Sequence, residues 1–301
     1  MRGCSSGLFR KPKYFCSAQR KAAADGKPRA FVNVFVGDTN IRELDGFDTV
    51  VRDGDEIMLI PAIAGGGGLA DEAAENPSIL GDRKGEKLSN DEILRYSRHL
   101  LLKEIGVKGQ LRLKGAKVLV VGAGGLGTPL CQYLAAAGIG TIGIMDFDDV
   151  DETNLQRQVI YRTRDVGRPK VAAAKDFIKG INPLVKVETY DYPLNAENAL
   201  SIIGEYDIVA DATDNFKARY LINDACVMLK KPEVFGAMYQ FEGQASVFYA
   251  KRGPCYRCMY PSPPPAGLVP SCATGGVVGV LLILFIVFIT KEITTDRKST
   301  R

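Results

Sequence analysis

A single histidine, His99, is all that the 301 residues contain. A His-rich metal site cannot be assembled, and a Ser-His-Asp triad would have only that one residue to draw on. Cysteine is sparse too, at seven residues, which is too few for a disulfide scaffold. Cys131 and Cys226 fall inside apolar helical patterns, where a small buried thiol is the simple reading, and a reducing compartment follows. Acid is nearly missing from residues 1–30, which hold eight Lys or Arg against Asp25 alone and leave 31 minus 34, a net charge of −3, for the rest. The body of the chain therefore offers no basic field for nucleic acid. The basic start lacks an apolar run of signal-peptide length, which argues against secretion; an organelle transit peptide and a disordered basic arm both fit it. No internal repeat is found.

Hydrophobic residues at 46% and charged residues at 25% describe a chain able to bury a core. Its length suits two domains, or one large domain with an appendage. From Phe31 a strand pattern runs to Val36, and a second, Ile57 to Ile63, follows the turn Asp53-Gly54-Asp55. Gly65-Gly66-Gly67-Gly68 and a stretch broken by Pro77 and Gly85 then read as a linker. The expected organisation is an arm over 1–30, a small β segment over 31–68, a linker over 69–88 and a larger domain over 89–301.

Ser89-x-x-Glu92 is a capping-box signature, and a helical face continues from it through Ile93, Leu94, His99 to Leu102 and Ile105. Lys117 to Val121 has the apolar character of a strand inside a parallel sheet, and a helical run from Pro129 to Ala137 follows. A strand over 141–147 ends in acid. Helices over 170–179 and 216–229 alternate with strands over 185–190 and 207–211, and further strands lie near 234–235 and 245–249. This alternation predicts a Rossmann-like, doubly wound α/β domain with a mainly parallel sheet.

Gly122-x-Gly124-x-x-Gly127 joins the first of these strands to its helix, which suits a tight turn and close backbone approach to a phosphate. Asp146, nineteen residues after Gly127 at the end of the next strand, is placed to accept from a ribose hydroxyl. A dinucleotide needs little positive charge at its pyrophosphate, whereas a triphosphate must be met by Arg, Lys and a metal. Asn154-Leu155-Gln156-Arg157-Gln158 and Gly167-Arg168-Pro169-Lys170 bring cations to loops at the carboxyl edge of the sheet, although each cation alone reads as a solvated surface charge. Asp211-Ala212-Thr213-Asp214-Asn215 follows a buried strand and either sets a carboxylate beside magnesium or caps a helix.

The ordered set GAGGLG, DFD, NLQRQ, GRPK and DATDN resembles the HesA/MoeB/ThiF family of ubiquitin-activating-enzyme-like adenylyltransferases over about residues 89–282. The resemblance implies an ATP site built from Gly122, Gly124, Gly125, Gly127, Asp146, Asn154, Arg157, Lys170 and Asp214. In it Asp146 binds the ribose, Arg157 and Lys170 bind the phosphates, and Asp214 positions Mg2+ and the attacking carboxylate. Arg98 matches an arginine that family members reach across a dimer interface, so a homodimer is implied.

The segment ending Ala62-Ile63-Ala64-Gly65-Gly66 resembles the Gly-Gly tail of MoaD/ThiS-like ubiquitin-like sulfur carriers, although the opening hairpin and helix of a β-grasp fold have no pattern in residues 1–30. The implied reaction is activation of a carrier's terminal glycine carboxylate by MgATP, followed by transfer of sulfur from a persulfide or rhodanese-type donor, for molybdopterin, thiamine or cysteine synthesis. In this chain Gly66 is followed by Gly67, so its carboxyl group is locked in a peptide bond. Either the tail is cut after Gly66 or a separate carrier is the substrate. Cys272 matches the family's conjugating or persulfide-forming cysteine. Cys255-Tyr256-Arg257-Cys258 has zinc-knuckle spacing but supplies half of a Zn2+ site.

Residues 273–290 are uncharged and long enough for a membrane span. A core helix and a cytoplasmic enzyme are favoured, because a span with the basic tail inside would strand the ATP site outside. Two rival functions remain at this point: a nicotinamide oxidoreductase, which leaves Arg157, Lys170 and Asp214 unused, and a non-catalytic fragment or scaffold.

Overall fold

The computed structural model describes residues 32–61 except 38, 46, 47, 53 and 56, together with 86–239 and 242–264. The basic start, Gly65 to Gly68, the 69–85 part of the linker, Cys272 and the apolar run 273–290 lie outside the described residues. Those described fall into two compact units, 32–61 with 88–108, and 86–87 with 109–264.

In the first unit, β1 (Val32–Val36) pairs antiparallel with β2 (Thr39–Asn40) and with β3 (Ile57–Pro61), giving the order β2-β1-β3. Val34 stands opposite Leu59, and Val36 opposite Ile57. α1 (Asn90–Arg95) begins at the capping box read from sequence: the Ser89 hydroxyl accepts from the Glu92 N–H, and the Glu92 carboxylate accepts from the Ser89 N–H. The single long helix expected beyond it is interrupted. α2 (Ser97–Leu100) follows a break at Tyr96, and α3 (Gly106–Gly115) starts after Gly106 takes φ +53°, a conformation open to glycine.

The second unit is the doubly wound sheet. Its strands are β4 (Lys117–Val121), β5 (Thr141–Met145), β6 (Lys186–Tyr190), β7 (Ile208–Asp211), β8 (Glu233–Tyr239) and β9 (Glu242–Phe248). The order is β6-β5-β4-β7-β8-β9; all neighbours are parallel except β9, which turns back antiparallel on β8. The helices are α4 (Gly127–Ala137), α5 (Lys170–Ile181), α6 (Ala199–Gly204), α7 (Phe216–Leu229) and α8 (Tyr256–Met259).

β4 explains why an apolar run here is a strand covered on both faces. Val118 and Val120 enter one core with Leu130 and Leu134 of α4 and Val171, Ala174 and Ile178 of α5. Leu119 and Val121 enter another core with Ile202, Ile203, Tyr206 and Ile222. Each fully buried aliphatic side chain contributes about 1.5–3 kcal/mol, and Leu119→Ala would cost about 2–5 kcal/mol because the two covered faces restrict collapse around the cavity. Short α6 was not read from sequence; its polar approach, Asn195 to Asn198, folds by side-chain bonds to its own backbone. Among the described residues no helix is long and apolar enough to cross a membrane.

Candidate active site

From β4 the chain winds first to β5 on one side, then later to β7 on the other. The two directions part at β4, and a crevice opens outside the carboxyl ends of β4 and β7. The glycine loop fills its floor. Gly122 has φ +96°, and a Cβ there would stand 2.7 Å from the Ala212 carbonyl oxygen, so this loop and the loop after β7 pack backbone to backbone. A Cβ on Gly127 would collide with the Gly122 carbonyl. Gly124 and Gly125 are different: their nearest neighbours would be the Gln158 amide at 3.9 Å and the Arg157 stem at 3.6 Å. Two glycines thus close the turn, while two leave backbone uncovered beneath the segment 154–158.

Asp146 sits immediately beyond β5. Its Oδ2 accepts from the Ala123 N–H at 2.7 Å and its Oδ1 from the Asp148 N–H at 3.0 Å. The buried Tyr161 hydroxyl donates to the Ala123 carbonyl at 2.8 Å, holding the loop from the other side. Burial raises the Asp146 pKa, opposed by the Lys170 charge and by the two N–H donors. Each oxygen accepts one bond and retains capacity for another, as a ribose hydroxyl requires.

Lys170 is 5% exposed, which corrects its reading as a solvated surface charge. Its Nζ lies 2.7 Å from Asp148 Oδ2 and 3.9 Å from Asp146 Oδ1. The twenty-odd residues between these groups are spanned by a backbone bridge from Asp149 to Pro169, and by the Lys170 N–H donating to the Asp148 carbonyl at 3.0 Å. Arg157 is half-buried; its Nη1 donates to the Thr153 carbonyl at 3.1 Å while its stem covers Gly125. The Asn154 side chain accepts from the Asp151 N–H at 3.4 Å in the capping turn before it.

Asp214 is exposed at the same sheet edge, two residues beyond the Ala212 carbonyl that abuts Gly122. The Asn215 side chain caps α7 by accepting from the Ala218 N–H at 2.9 Å, so in this motif Asn215 is the cap. Arg98, on α2 of the other unit, is exposed. Asp148, Tyr161, Asp211 and Arg219 were not singled out from sequence as site residues. Only the DFD spacing pointed to Asp148, and Arg219 sits in an ordinary helical pattern.

The Cys255 and Cys258 sulfurs are 3.6 Å apart, close to the edge of a tetrahedron of thiolates around zinc at about 2.3 Å. Four ligands are needed, however, and among the described residues no group of three His, Cys, Asp or Glu could hold a metal. These residues do not complete a zinc site.

A profile of the ThiF family matches residues 96–295, and one of the ThiS family matches residues 10–66. The chain is similar to "Probable adenylyltransferase/sulfurtransferase MoeZ" of Mycobacterium tuberculosis, at 57% identity over 198 residues, covering 64% of this chain and 50% of that one. It is also similar to "Sulfur carrier protein adenylyltransferase" of Thermus thermophilus, at 54% identity over 198 residues, covering 64% of this chain and 73% of that one. A crystal structure of Escherichia coli MccB with ATP aligns with a TM-score of 0.57 at 25% identity, covering 71% of this chain and 66% of MccB. The chain spans about half the length of the MoeZ relative.

Proposed function

Because the chain belongs to the ThiF family, we propose that it is a MgATP-dependent adenylyltransferase acting on the terminal glycine carboxylate of a ubiquitin-like sulfur carrier. The observation that carries this reading is the convergence of Asp146, Lys170, Arg157 and the open Gly124-Gly125 backbone on one sheet edge. A nicotinamide dinucleotide would leave a buried lysine and the arginine unused; a triphosphate uses both. The likeness to MccB, whose structure was solved with ATP, supports the same ligand.

In this reading the ribose hydroxyls donate to Asp146, and the phosphates lie over Gly124 and Gly125 between Arg157 and Lys170. Lys170 exchanges part of its pairing with Asp148 for phosphate oxygens. The 59% exposed Asp148 carboxylate can swing into water. Asp214 offers the exposed oxygen donors that Mg2+ prefers, to be completed by phosphate oxygens and water, and the ion when bound neutralises phosphate charge. A carrier carboxylate oxygen attacks the α-phosphorus, the bond from that phosphorus to the bridging oxygen breaks, and pyrophosphate leaves with its charge held by Arg157 and Lys170. The product is a glycyl adenylate. The protein's own work is positioning and charge neutralisation.

The carrier is either a separate protein or the chain's own segment 31–68 freed after Gly66; the ThiS-family match ends at that residue. The linker over 69–88 separates that segment from the domain over 89–301, with a basic arm over 1–30 ahead of it. Cys272 would then accept sulfur from a persulfide-type donor, Arg98 would complete the ATP site of a partner copy in a cytoplasmic homodimer, and the closest pathway likeness is to molybdopterin synthesis. Carrier-dependent exchange of labelled pyrophosphate into ATP tests the central step. Exchange that requires a carrier ending in Gly-Gly is expected; none with any such carrier would end this reading.

A further inference from the structure

Thr213, the residue before Asp214, has each of its polar groups held. Its N–H donates to Asp211 Oδ1 at 2.9 Å and its hydroxyl to the same oxygen at 2.6 Å. Its carbonyl accepts from Arg219 Nη2 at 3.0 Å. On the other side of Asp214, Asn215 is fixed as the cap of α7. The exposed Asp214 side chain is therefore carried on backbone anchored at both neighbours.

The anchors are themselves secured. Asp211 is fully buried at the end of β7, next to β4. The Arg219 guanidinium stands 5.2 Å from the Phe216 ring centre and 5.3 Å from that of Phe235, so its direction is set by aromatic faces as well as by the carbonyl it serves. Its Nε is buried without a partner, as are Asp211 Oδ2 and both oxygens of Glu233. Leaving such groups unpaired costs the fold the full desolvation of each. A fold that only needed a helix start after β7 could use an apolar residue at 219 and avoid that cost. The arrangement makes sense where the exact course of residues 212–214 matters.

We propose that Asp211 and Arg219 are positioning residues that clamp Thr213 and thereby hold Asp214 in the orientation that adenylation requires. This rests on the reading of Asp214 as a residue of the ATP site. Asp211 is wholly buried, and both residues act through the carboxylate they aim.

The test is a double-mutant cycle read by carrier-dependent pyrophosphate exchange, with the Mg2+ concentration for half-maximal rate measured alongside. Arg219→Gln is expected to lower kcat about 30-fold, raise the Mg2+ requirement several-fold and leave the ATP KM within about twofold. In an Asp214→Ala background the same change is expected to cost less than about twofold. Lys231→Ala, which removes bonds to the Gly204 and Tyr206 carbonyls before the amino end of β7, the end opposite this loop, is expected to lower Tm with exchange unchanged. Should Arg219→Gln fail to fold, Thr213→Val, which keeps volume and loses only the hydroxyl, runs the same cycle with an expected loss of about fivefold. Equal losses with and without Asp214 would overturn the clamp while leaving the adenylation reading intact. Full exchange in Asp214→Ala itself would overturn both.

Discussion

Two carboxylates flank β4 at the carboxyl edge, Asp146 after β5 and Asp211 at the end of β7, and they are treated in opposite ways. Asp146 has a backbone N–H on each oxygen and a lysine ammonium 3.9 Å away, with enough exposure to meet a ligand. Asp211 is wholly buried, with two donors on one oxygen and none on the other. Burial pushes its pKa up to about 6, and burial with the nearby Asp211 charge pushes Glu233 well above the ordinary carboxyl range. One acid is arranged to receive something from outside. The other spends its hydrogen-bonding capacity on the protein's own loop.

The contrast can be broken most severely on the ligand side. Lys170→Ala combined with Asp214→Ala is expected to reduce pyrophosphate exchange by at least about 1,000-fold, since both remove charge stabilisation from the transferring phosphate; undiminished adenylate formation would remove the basis of the functional reading. Asp146→Ala is expected to raise the ATP KM about 10- to 100-fold, whereas Asp211→Asn moves it less than about threefold, because only the former meets the ribose. Pyrophosphate-exchange rates at varied ATP concentration measure both, and equal effects would erase the distinction.

The smaller tests concern stability. A carboxyl group with a folded pKa above its unfolded value contributes stability that is fully present below the unfolded pKa, near 3.9, and is lost as pH rises through the folded one. For Asp211 the loss runs from about pH 4 to just above pH 6, between the unfolded and folded values. Asp211→Asn is accordingly expected to flatten the fall in Tm between pH 4 and 7 by about 5 °C, given a penalty on the order of 2–3 kcal/mol for ionising the buried acid. A parallel fall in wild type and variant would place the titration elsewhere. Glu233→Gln is expected to give the least, a Tm gain of about 2 °C at pH 8, because a buried acid with both oxygens unpaired becomes a neutral amide; differential scanning calorimetry would show a loss instead if the carboxylate were an essential partner.

Much of the α/β unit could be read ahead of the structure. β4 and α7 begin and end at the residues expected, because apolar runs of strand length and a capped amphipathic pattern are local signals. The strand expected through 147 stops at Met145, since Asp146 leaves the ladder to face the glycine loop and Phe147 is 63% exposed. The broken helix after Ser89 and the short α6 went unread: a turn at Tyr96 carries no Gly or Pro, and Asn195, Glu197 and Asn198 before Ala199 look like loop. At the site, the motifs named Asp146, Arg157 and Lys170 one by one. Their pairing could not be read from spacing, because Asp148 and Lys170 meet only when the chain from β5 returns along the 149–169 bridge.

The sequence alone determined the alternation of strands and helices, the glycine turn at 122–127 and the family, since each of these is written in residues close together along the chain. Tertiary structure alone decided that Lys170 is buried against two aspartates and that Thr213 is held from both β7 and α7. The reason is physical: burial and hydrogen-bond direction depend on what the other strands of the sheet and the helices over it bring alongside, and residues tens of positions apart have no local signal of that meeting.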